Sequence, residues 1–234
     1  MIFSFFISTL RFFPRAMAKI LLTIVLLLSV GGCAYFNYYY NAQKYYRQAE
    51  KQERDAQKEG RSFTGGSSLY EKAIESAGKL LLYYPESRWE DDALLLIAKA
   101  YFKTARYRSA ITKIEELELK YPQSSLLSEG YLVKGLSYFK VAESDSGIVL
   151  LQTLISTRSE PQILSRAYQA LGDHYLKEKN FDQAWVCYRK ASELAPLKED
   201  KIEIMLQEGI ALTLLGRHRE AVDLYDKILK ERLS

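Results

Sequence analysis

Cysteine and histidine are almost absent from this chain of 234 residues, which contains two of each. Cys33 and Cys187 are too few and too far apart in sequence to build a disulfide scaffold. A zinc-type centre needs about four nitrogen or sulfur ligands, so we expect no metal site and no cofactor. Gly-rich phosphate loops and the HExxH, CxxC and GxSxG elements are also missing, which argues against the enzyme classes that depend on them.

The chain also has little excess of positive over negative charge. The sequence has 33 Lys and Arg against 29 Asp and Glu, a net charge of +4. Residues 1–32 contain Arg11, Arg15 and Lys19 and no acidic residue, so they carry most of the excess. We therefore predict no nucleic-acid partner, because phosphate binding needs a basic patch.

No apolar run is long enough to cross a membrane. The longest largely apolar run covers residues 20–30, whereas a spanning helix needs about 20 residues. Behind a positively charged segment, a run of this length is typical of a signal peptide. No later segment is comparably apolar, so we expect the body after Cys33 to be soluble and tethered.

The run ends in Val30-Gly31-Gly32-Cys33, which resembles the lipobox of bacterial lipoproteins. The resemblance implies a diacylglycerol on the Cys33 sulfur, cleavage before this residue and acylation of the new amine. Three acyl chains exceed the two that stable anchoring requires, and Ala34 favours the outer membrane by resemblance to enterobacterial sorting. The alternative is an ordinary secretory signal with an incidental cysteine. We predict a signal peptide over 1–32, with Met17 as a second candidate start.

The body of the chain repeats itself every 37 residues, and such self-similarity identifies repeat folds. The clearest copy fits the tetratricopeptide pattern, in which a small residue on the first helix faces the second helix and proline ends the second helix. Its residues are Leu171, Gly172, Tyr175, Ala184, Tyr188, Ala191 and Pro196. Steps of 37 residues recover Gly135 and Gly209, and the second-helix residues Ala73, Ala77, Leu80 and Pro85 further upstream.

This periodicity predicts an all-α fold, a right-handed α-solenoid of about five tetratricopeptide hairpins. The usual unit has 34 residues, so each repeat here has three more. These additional residues follow the proline, where we expect Ser87 and Ser124 to cap the next helix. We divide the chain into the signal peptide, a lipid-anchored helix and Gly/Ser loop over 33–67, and a repeat domain over 68–234. The predicted helices are 37–58, 68–83, 88–104, 108–121, 125–141, 145–157, 161–177, 181–194, 198–215 and 218–233.

The first hairpin departs from the repeat. Its loop, residues 60–68, is long and rich in glycine and serine, as mobile or contact-forming loops are. A dense tyrosine cluster over residues 35–46 follows the predicted anchor. It is either an N-terminal cap that buries its rings or a surface for a membrane or partner, since tyrosine combines an apolar ring with a polar hydroxyl.

The concave face of a tetratricopeptide stack is formed by the first helix of each hairpin, one position away from the packing residues. We expect it to be largely apolar and suited to an extended peptide or a partner helix. The alternative is that the same residues pack as core. The candidates are Leu95, Lys99, Phe102, Leu132, Leu136, Phe139, Gln169, Asp173, Leu206 and Ile210.

Two Tyr-Pro-x-Ser segments, at 84–87 and 121–124, and the stretches up to Tyr138 are similar to the outer-membrane assembly lipoprotein family, whose members serve the β-barrel assembly machinery. The resemblance implies a lipid-tethered periplasmic scaffold in the outer membrane. Its partners would be unfolded outer-membrane proteins and the barrel-assembly subunit. Another envelope protein-binding module, such as a secretin pilot or a coordinator of cell-wall synthesis, is the alternative. We expect no enzyme, since Cys187 is expected to be a small buried side chain on a helix and no motif places a nucleophile near His174 or His218.

Overall fold

The computed structural model of the protein describes residues 15–61, 66–157 and 159–233. The first fourteen residues of the predicted signal peptide and residues 62–65 of the predicted loop lie outside these ranges. All regular secondary structure within them is helical. The ten helices of the described ranges are α1 (Arg15–Lys58), α2 (Gly66–Tyr83), α3 (Glu90–Lys103), α4 (Tyr107–Lys120), α5 (Leu127–Lys140), α6 (Ser144–Ser156), α7 (Pro161–Lys177), α8 (Phe181–Leu194), α9 (Lys198–Leu214) and α10 (His218–Leu233).

These helices confirm the predicted all-α repeat fold, and their ends follow the predicted ends closely except in α1. That helix begins at Arg15 instead of near residue 37, so the signal segment and the first repeat helix are continuous through Cys33. Gly31 and Gly32 each cost about 1 kcal/mol of helix propensity, which is too little to break so long a helix. Within the described residues, no helix combines the length and the apolar character that a membrane crossing requires.

Neither predicted serine cap is formed: Leu126 occupies the N-cap position of α5, and that helix start has no side-chain cap. The Ser124 hydroxyl accepts a hydrogen bond from the Leu126 backbone N–H at 3.2 Å. The Ser87 hydroxyl is buried and has no hydrogen-bond partner among the described residues. The predicted cap at Ser87 is therefore wrong. The side chain of Glu90 instead accepts from the Glu86 N–H at 2.6 Å, in the turn that precedes the helix.

The turns between paired helices repeat as regularly as the helices. Ala105, Ala142, Lys179 and Gly216 follow one another at intervals of 37 residues, and all have positive φ, between 58° and 76°. After each of them, the next N–H donates to a carbonyl five residues earlier, at 2.8 to 3.0 Å. This bond closes a Schellman motif at the helix end. Only one of the four positions is glycine, the residue that favours this conformation.

Glycines on the first helices allow close approach of the second helices. A Cβ added at Gly135 would lie 2.6 Å from Leu151 Cδ2, and one at Gly172 would lie 2.8 Å from Tyr188 Cδ1. Both pairs are sixteen residues apart, and Gly209 faces Tyr225 at the same spacing. The sequence predicted a small residue on the first helix facing the second helix. The structure shows that a larger residue at these positions would clash, so the small residue is a steric requirement of helix pairing.

The chain divides into two compact units, Met1–Ala93 and Leu94–Ser234. In the first unit α1 pairs with α2. The rings of Tyr46 and Tyr70 meet edge to face at 5.3 Å, and the Tyr70 hydroxyl donates to Glu53 at 2.9 Å. The predicted second-helix residues Ala73 and Leu80 are fully buried.

In the second unit, two clusters of buried side chains adjoin one another. The first cluster contains Leu132, Leu151, Leu154 and Leu171. The second is built around Tyr188, which is fully buried, together with Ala184 and other small residues. Each hairpin thus buries its apolar side chains against its neighbours, as expected for a repeat stack.

Candidate protein-binding surface

The candidate surface of the second unit lies on the first helices of its hairpins, α3, α5, α7 and α9. On α3 the predicted residues differ in exposure. Leu95 is buried in the core. Lys99 is half-buried and forms an ion pair with Glu129 of α5, 2.7 Å between Nζ and Oε1. Phe102 is half-buried and its ring meets that of Tyr107 edge to face at 5.5 Å.

On α5 the predicted residues run from core to surface. Leu132 is fully buried, while Leu136 and Phe139 are partly buried against the same cluster. The Phe139 ring stacks on the ring of His174 in α7, with centroids 4.8 Å apart and an angle of 4° between planes. Phe139 and His174 therefore connect two neighbouring first helices through a flat aromatic contact.

On α7 the predicted residues are polar. Gln169 is half-buried and Asp173 is exposed. Asp173 Oδ1 accepts a hydrogen bond from the hydroxyl of Tyr188 at 2.8 Å. Burial and the nearby carboxylate both raise the pKa of Tyr188, so its hydroxyl stays protonated and acts as the donor. Asp173 thus helps to hold a core ring in place.

On α9 both predicted residues are exposed, and the structure adds a third. Leu206, Ile210 and Leu214 are 36%, 41% and 50% exposed. A spacing of four residues places them along one helix face, and we call this face the α9 stripe. Leu214 was not among the residues predicted from the sequence, although continuing the same spacing by one turn would have found it.

A cavity of about 140 Å³ lies between α7 and α9, next to the predicted Gln169. Its lining is mostly polar and includes both charge signs, so it could receive a polar side chain or a short peptide segment. The lining residues are Gln162, Ser165, Arg166, Gln169, Pro196, Asp200, Glu203 and Ile204.

A second, larger cavity of about 420 Å³ is bounded by α8, α9 and α10. The sequence did not predict this cavity, because its residues come from three helices and form no motif. Its buried carboxyl group is Glu208, which accepts from Ser192 Oγ at 3.4 Å. Burial raises the pKa of Glu208, opposed by its side-chain hydrogen bonds and the charge of Arg189. Arg189, Lys201 and Lys227 add positive charge to the lining.

The thiol and imidazole side chains of the second unit are Cys187, His174 and His218. Burial raises the pKa of the Cys187 thiol to about 11, so at neutral pH it is protonated and weakly nucleophilic. His174 is engaged in the aromatic stack described above, and His218 is exposed at the start of α10. Over the described ranges, no three His, Cys, Asp or Glu residues are placed to share a metal ion.

Comparison with known families identifies this architecture. Residues 50–174 match the family YfiO, described as an outer membrane lipoprotein. The match covers more than half of the chain. The protein belongs to this outer membrane lipoprotein family. Residues 165–196, which span most of α7 and all of α8, also match the tetratricopeptide repeat.

Solved structures share the fold of this protein. A crystal structure of MamA is 24% identical over 70% of this chain and 90% of its own, with a TM-score of 0.56. MamA from Desulfovibrio magneticus RS-1 is 17% identical over 82% and 95% of the two chains, with a TM-score of 0.55. At these identities the likeness concerns the fold alone. No curated protein gave a significant sequence match.

The family match covers only part of the candidate surface. It includes the candidates on α3, α5 and α7, from Leu95 to Asp173. The α9 stripe lies outside it. The most exposed apolar residues among the candidates therefore belong to a part of the chain that the family pattern does not cover.

Proposed function

We propose that this outer membrane lipoprotein is a lipid-anchored periplasmic scaffold for the assembly of outer-membrane β-barrel proteins. Membership of the family carries the proposal, since the match extends from α1 to α7. The tetratricopeptide repeats supply surfaces for protein partners. The partners are unfolded outer-membrane proteins and the barrel-assembly subunit, and the membrane is reached through lipid on Cys33.

The α9 stripe supports a protein-binding role because three large apolar side chains on one helix face are exposed in the isolated chain. A partner helix or an extended peptide could cover them with its own apolar side chains. The polar cavity beside Gln169 would then receive a polar group of the same segment. Leu95 and Leu132 belong to the core instead, because neither is accessible to a partner.

A photo-crosslinking residue at Ile210, introduced into the tethered protein in cells, tests which partner binds. We expect it to capture the barrel-assembly subunit or unfolded barrel proteins. The same probe at Val222 is the matched control, because this residue is also exposed but lies on α10. Capture of only secretins or cell-wall enzymes at Ile210 would exclude the assembly role.

Substitution of the stripe tests the surface itself. Because Leu206 and Ile210 are exposed, Leu206→Asp and Ile210→Asp should leave the fold intact and weaken partner capture. Leu136→Asp is a poorer test, since Leu136 packs against the core and its loss would also destabilise the protein. Unchanged capture by the Leu206→Asp/Ile210→Asp double variant would contradict a binding role for the α9 stripe.

The lipid anchor has an independent test. The Cys33→Ser variant removes the sulfur that would carry the diacylglycerol, and we expect it to lose lipid-dependent processing and membrane fractionation. If the variant were still fully processed and membrane-bound, the lipoprotein interpretation would be wrong. The scaffold proposal also assigns no catalytic step to the protein, consistent with the protonated, buried Cys187 thiol.

A further inference from the structure

The first helices of the second unit differ in the residue at which they end. Helices α3, α5 and α7 end at Lys103, Lys140 and Lys177, which follow one another at intervals of 37 residues. The next residue of this series is Leu214, the last residue of α9 and the end of the α9 stripe. A lysine at this position interacts favourably with the helix dipole, so the repeat fold alone does not favour the leucine. The apolar face of α9 is therefore peculiar to the last hairpin described.

Towards the N-terminal end of α9, the α9 stripe continues as acidic side chains. Glu203 lies three residues before Leu206, and Glu199 lies four residues before Glu203, so they extend the same helix face. Glu199 is in the first turn of α9, where the helix dipole favours an acidic residue, but this effect falls off within that turn. The dipole therefore does not account for Glu203. This face of α9 is acidic at one end and apolar at the other.

The acidic end of this face borders the cavity of about 140 Å³ between α7 and α9. Asp200 and Glu203 line the cavity from α9, and Arg166 is the one cationic residue among the described residues that line it. Arg166 is exposed, and no ion pair joins it to either carboxylate in the described part of the chain. The lining therefore has two carboxylates for one guanidinium, and a cation from a partner would balance it.

A third carboxyl group, that of Asp173 in α7, lies close to the same end of the stripe. Burial raises the pKa of Asp173, and the negative charge of Glu203 raises it further. The hydrogen bond of Asp173 to Tyr188 and the charge of Lys140 act on this pKa in the opposite direction. Glu203 is therefore close enough to Asp173 to interact with it across the space between α7 and α9, which adds to the negative potential there.

The other cationic side chains near this face do not offset the negative charge. The Nζ atom of Lys201 lies 3.4 Å from Oε1 of Glu231, so this lysine faces α10 and not the cavity. Lys198 lies five residues before Glu203, or about 140° away from it around the helix. Lys177 ends α7 and is level with the apolar end of the stripe. A segment that binds along α9 thus meets negative charge near Glu203 and apolar side chains beyond it.

We propose that the α9 stripe and the adjoining cavity bind a partner segment that is apolar along one face and has a lysine or arginine at one end. The apolar side chains of this segment would cover the α9 stripe. Its cationic group would enter the cavity beside Asp200 and Glu203 and form charge-assisted hydrogen bonds there. The proposal rests on the protein-binding role proposed above and adds the charge of the partner and its direction along α9. An apolar segment with a neutral or acidic end is the competing outcome of the test.

A pair of synthetic peptides tests the charge of the partner. Both are helical peptides of alanine and glutamine with leucines at the spacing of the α9 stripe. One peptide carries lysines at one end, and the other carries glutamates at the same end. Their binding to the purified full-length protein in phosphatidylcholine nanodiscs is measured at low salt, with empty nanodiscs as the background. We expect the lysine peptide to bind about tenfold more tightly, because ion pairs replace repulsive contacts at the cavity and each exposed pair has a modest effect.

Neutralising variants of the protein show whether the cavity discriminates between the peptides. Asp200→Asn/Glu203→Gln should bring the two affinities to within about twofold of each other. Arg166→Gln should widen the difference, because it removes the cation that competes for the carboxylates. Shifts in opposite directions would not follow from a general loss of stability. Asp223→Asn/Asp226→Asn is the matched control: it removes the same charge at the same spacing from exposed positions of α10 and should leave the difference near tenfold, that is about tenfold as in wild type.

The outcomes separate this inference from the protein-binding role on which it rests. Equal binding of the two peptides, tighter binding of the glutamate peptide, or a preference that Asp200→Asn/Glu203→Gln leaves unchanged would refute the basic partner. If neither peptide bound above the level of empty nanodiscs, the inference would also be wrong. The binding role of the α9 stripe fails only if, in addition, the photo-crosslinking residue at Ile210 captures no partner in cells.

Discussion

Replacing Gly172 by alanine perturbs the contact between α7 and α8 at one atom. The added Cβ would lie 2.8 Å from Cδ1 and Cε1 of Tyr188. This ring cannot swing away, because it is fully buried and its hydroxyl is bonded to Asp173. The helices must therefore separate, or the ring must leave its preferred position.

Two opposing effects set the size of the change. Alanine gains about 1 kcal/mol of helix propensity over glycine, whereas overpacking a tight core costs about 1–3 kcal/mol. We therefore expect Gly172→Ala to lower the free energy of unfolding by about 1 kcal/mol, within a range of about 0–2 kcal/mol. For a chain of this size, that corresponds to a fall in Tm of about 2–4 °C per kcal/mol.

Gly78→Ala is the matched control. Gly78 is also helical, but a Cβ there would meet no atom within 4 Å, so this substitution should raise the stability by its propensity gain. Thermal and urea unfolding followed by circular dichroism measure both. If the two substitutions shifted the stability in the same direction, the steric reasoning would be wrong. Tyr188→Leu should also reduce the cost of Gly172→Ala, since a smaller side chain frees space.

The remaining predictions concern single groups of the second unit. Ala142→Gly should stabilise the protein by about 1 kcal/mol in urea unfolding, since its φ of 63° suits glycine. Glu208→Gln should match wild type near pH 4 and exceed its stability at pH 7, because burial raises the pKa of this carboxyl and the folded state resists its ionisation. Ser165→Ala should cost about 1 kcal/mol by removing its bond to a backbone carbonyl of α8. In Cys33→Ser protein, a thiol reagent at pH 8 should modify Cys187 about 100-fold more slowly before unfolding than after it, given a pKa of about 11; equal rates would contradict its burial.

For the candidate surface, residue spacing predicted which helices carry the residues but not which residues are exposed. Spacing placed the candidates on the first helices, where the structure also has them. It could not separate Leu132, which is fully buried, from Ile210, which is exposed, because both occupy the same kind of position in the repeat. Their exposure depends on the neighbouring helix: α5 has further helices on both sides in the second unit, whereas α9 belongs to the last hairpin described.

The turns also separate what the sequence alone determined from what the tertiary structure decided. The sequence alone determined the 37-residue period, the ten helices and the small-to-large pairs such as Gly172 and Tyr188, because helix periodicity and side-chain volume are local properties. Only the tertiary structure decided that Ala142 and Lys179 adopt a left-handed conformation, against their intrinsic preference. It also decided that the tyrosine cluster divides into buried and exposed rings. At the turns the surrounding structure outweighs a local preference of about 1 kcal/mol. In the tyrosine cluster, the burial of each ring depends on which other helices lie beside it.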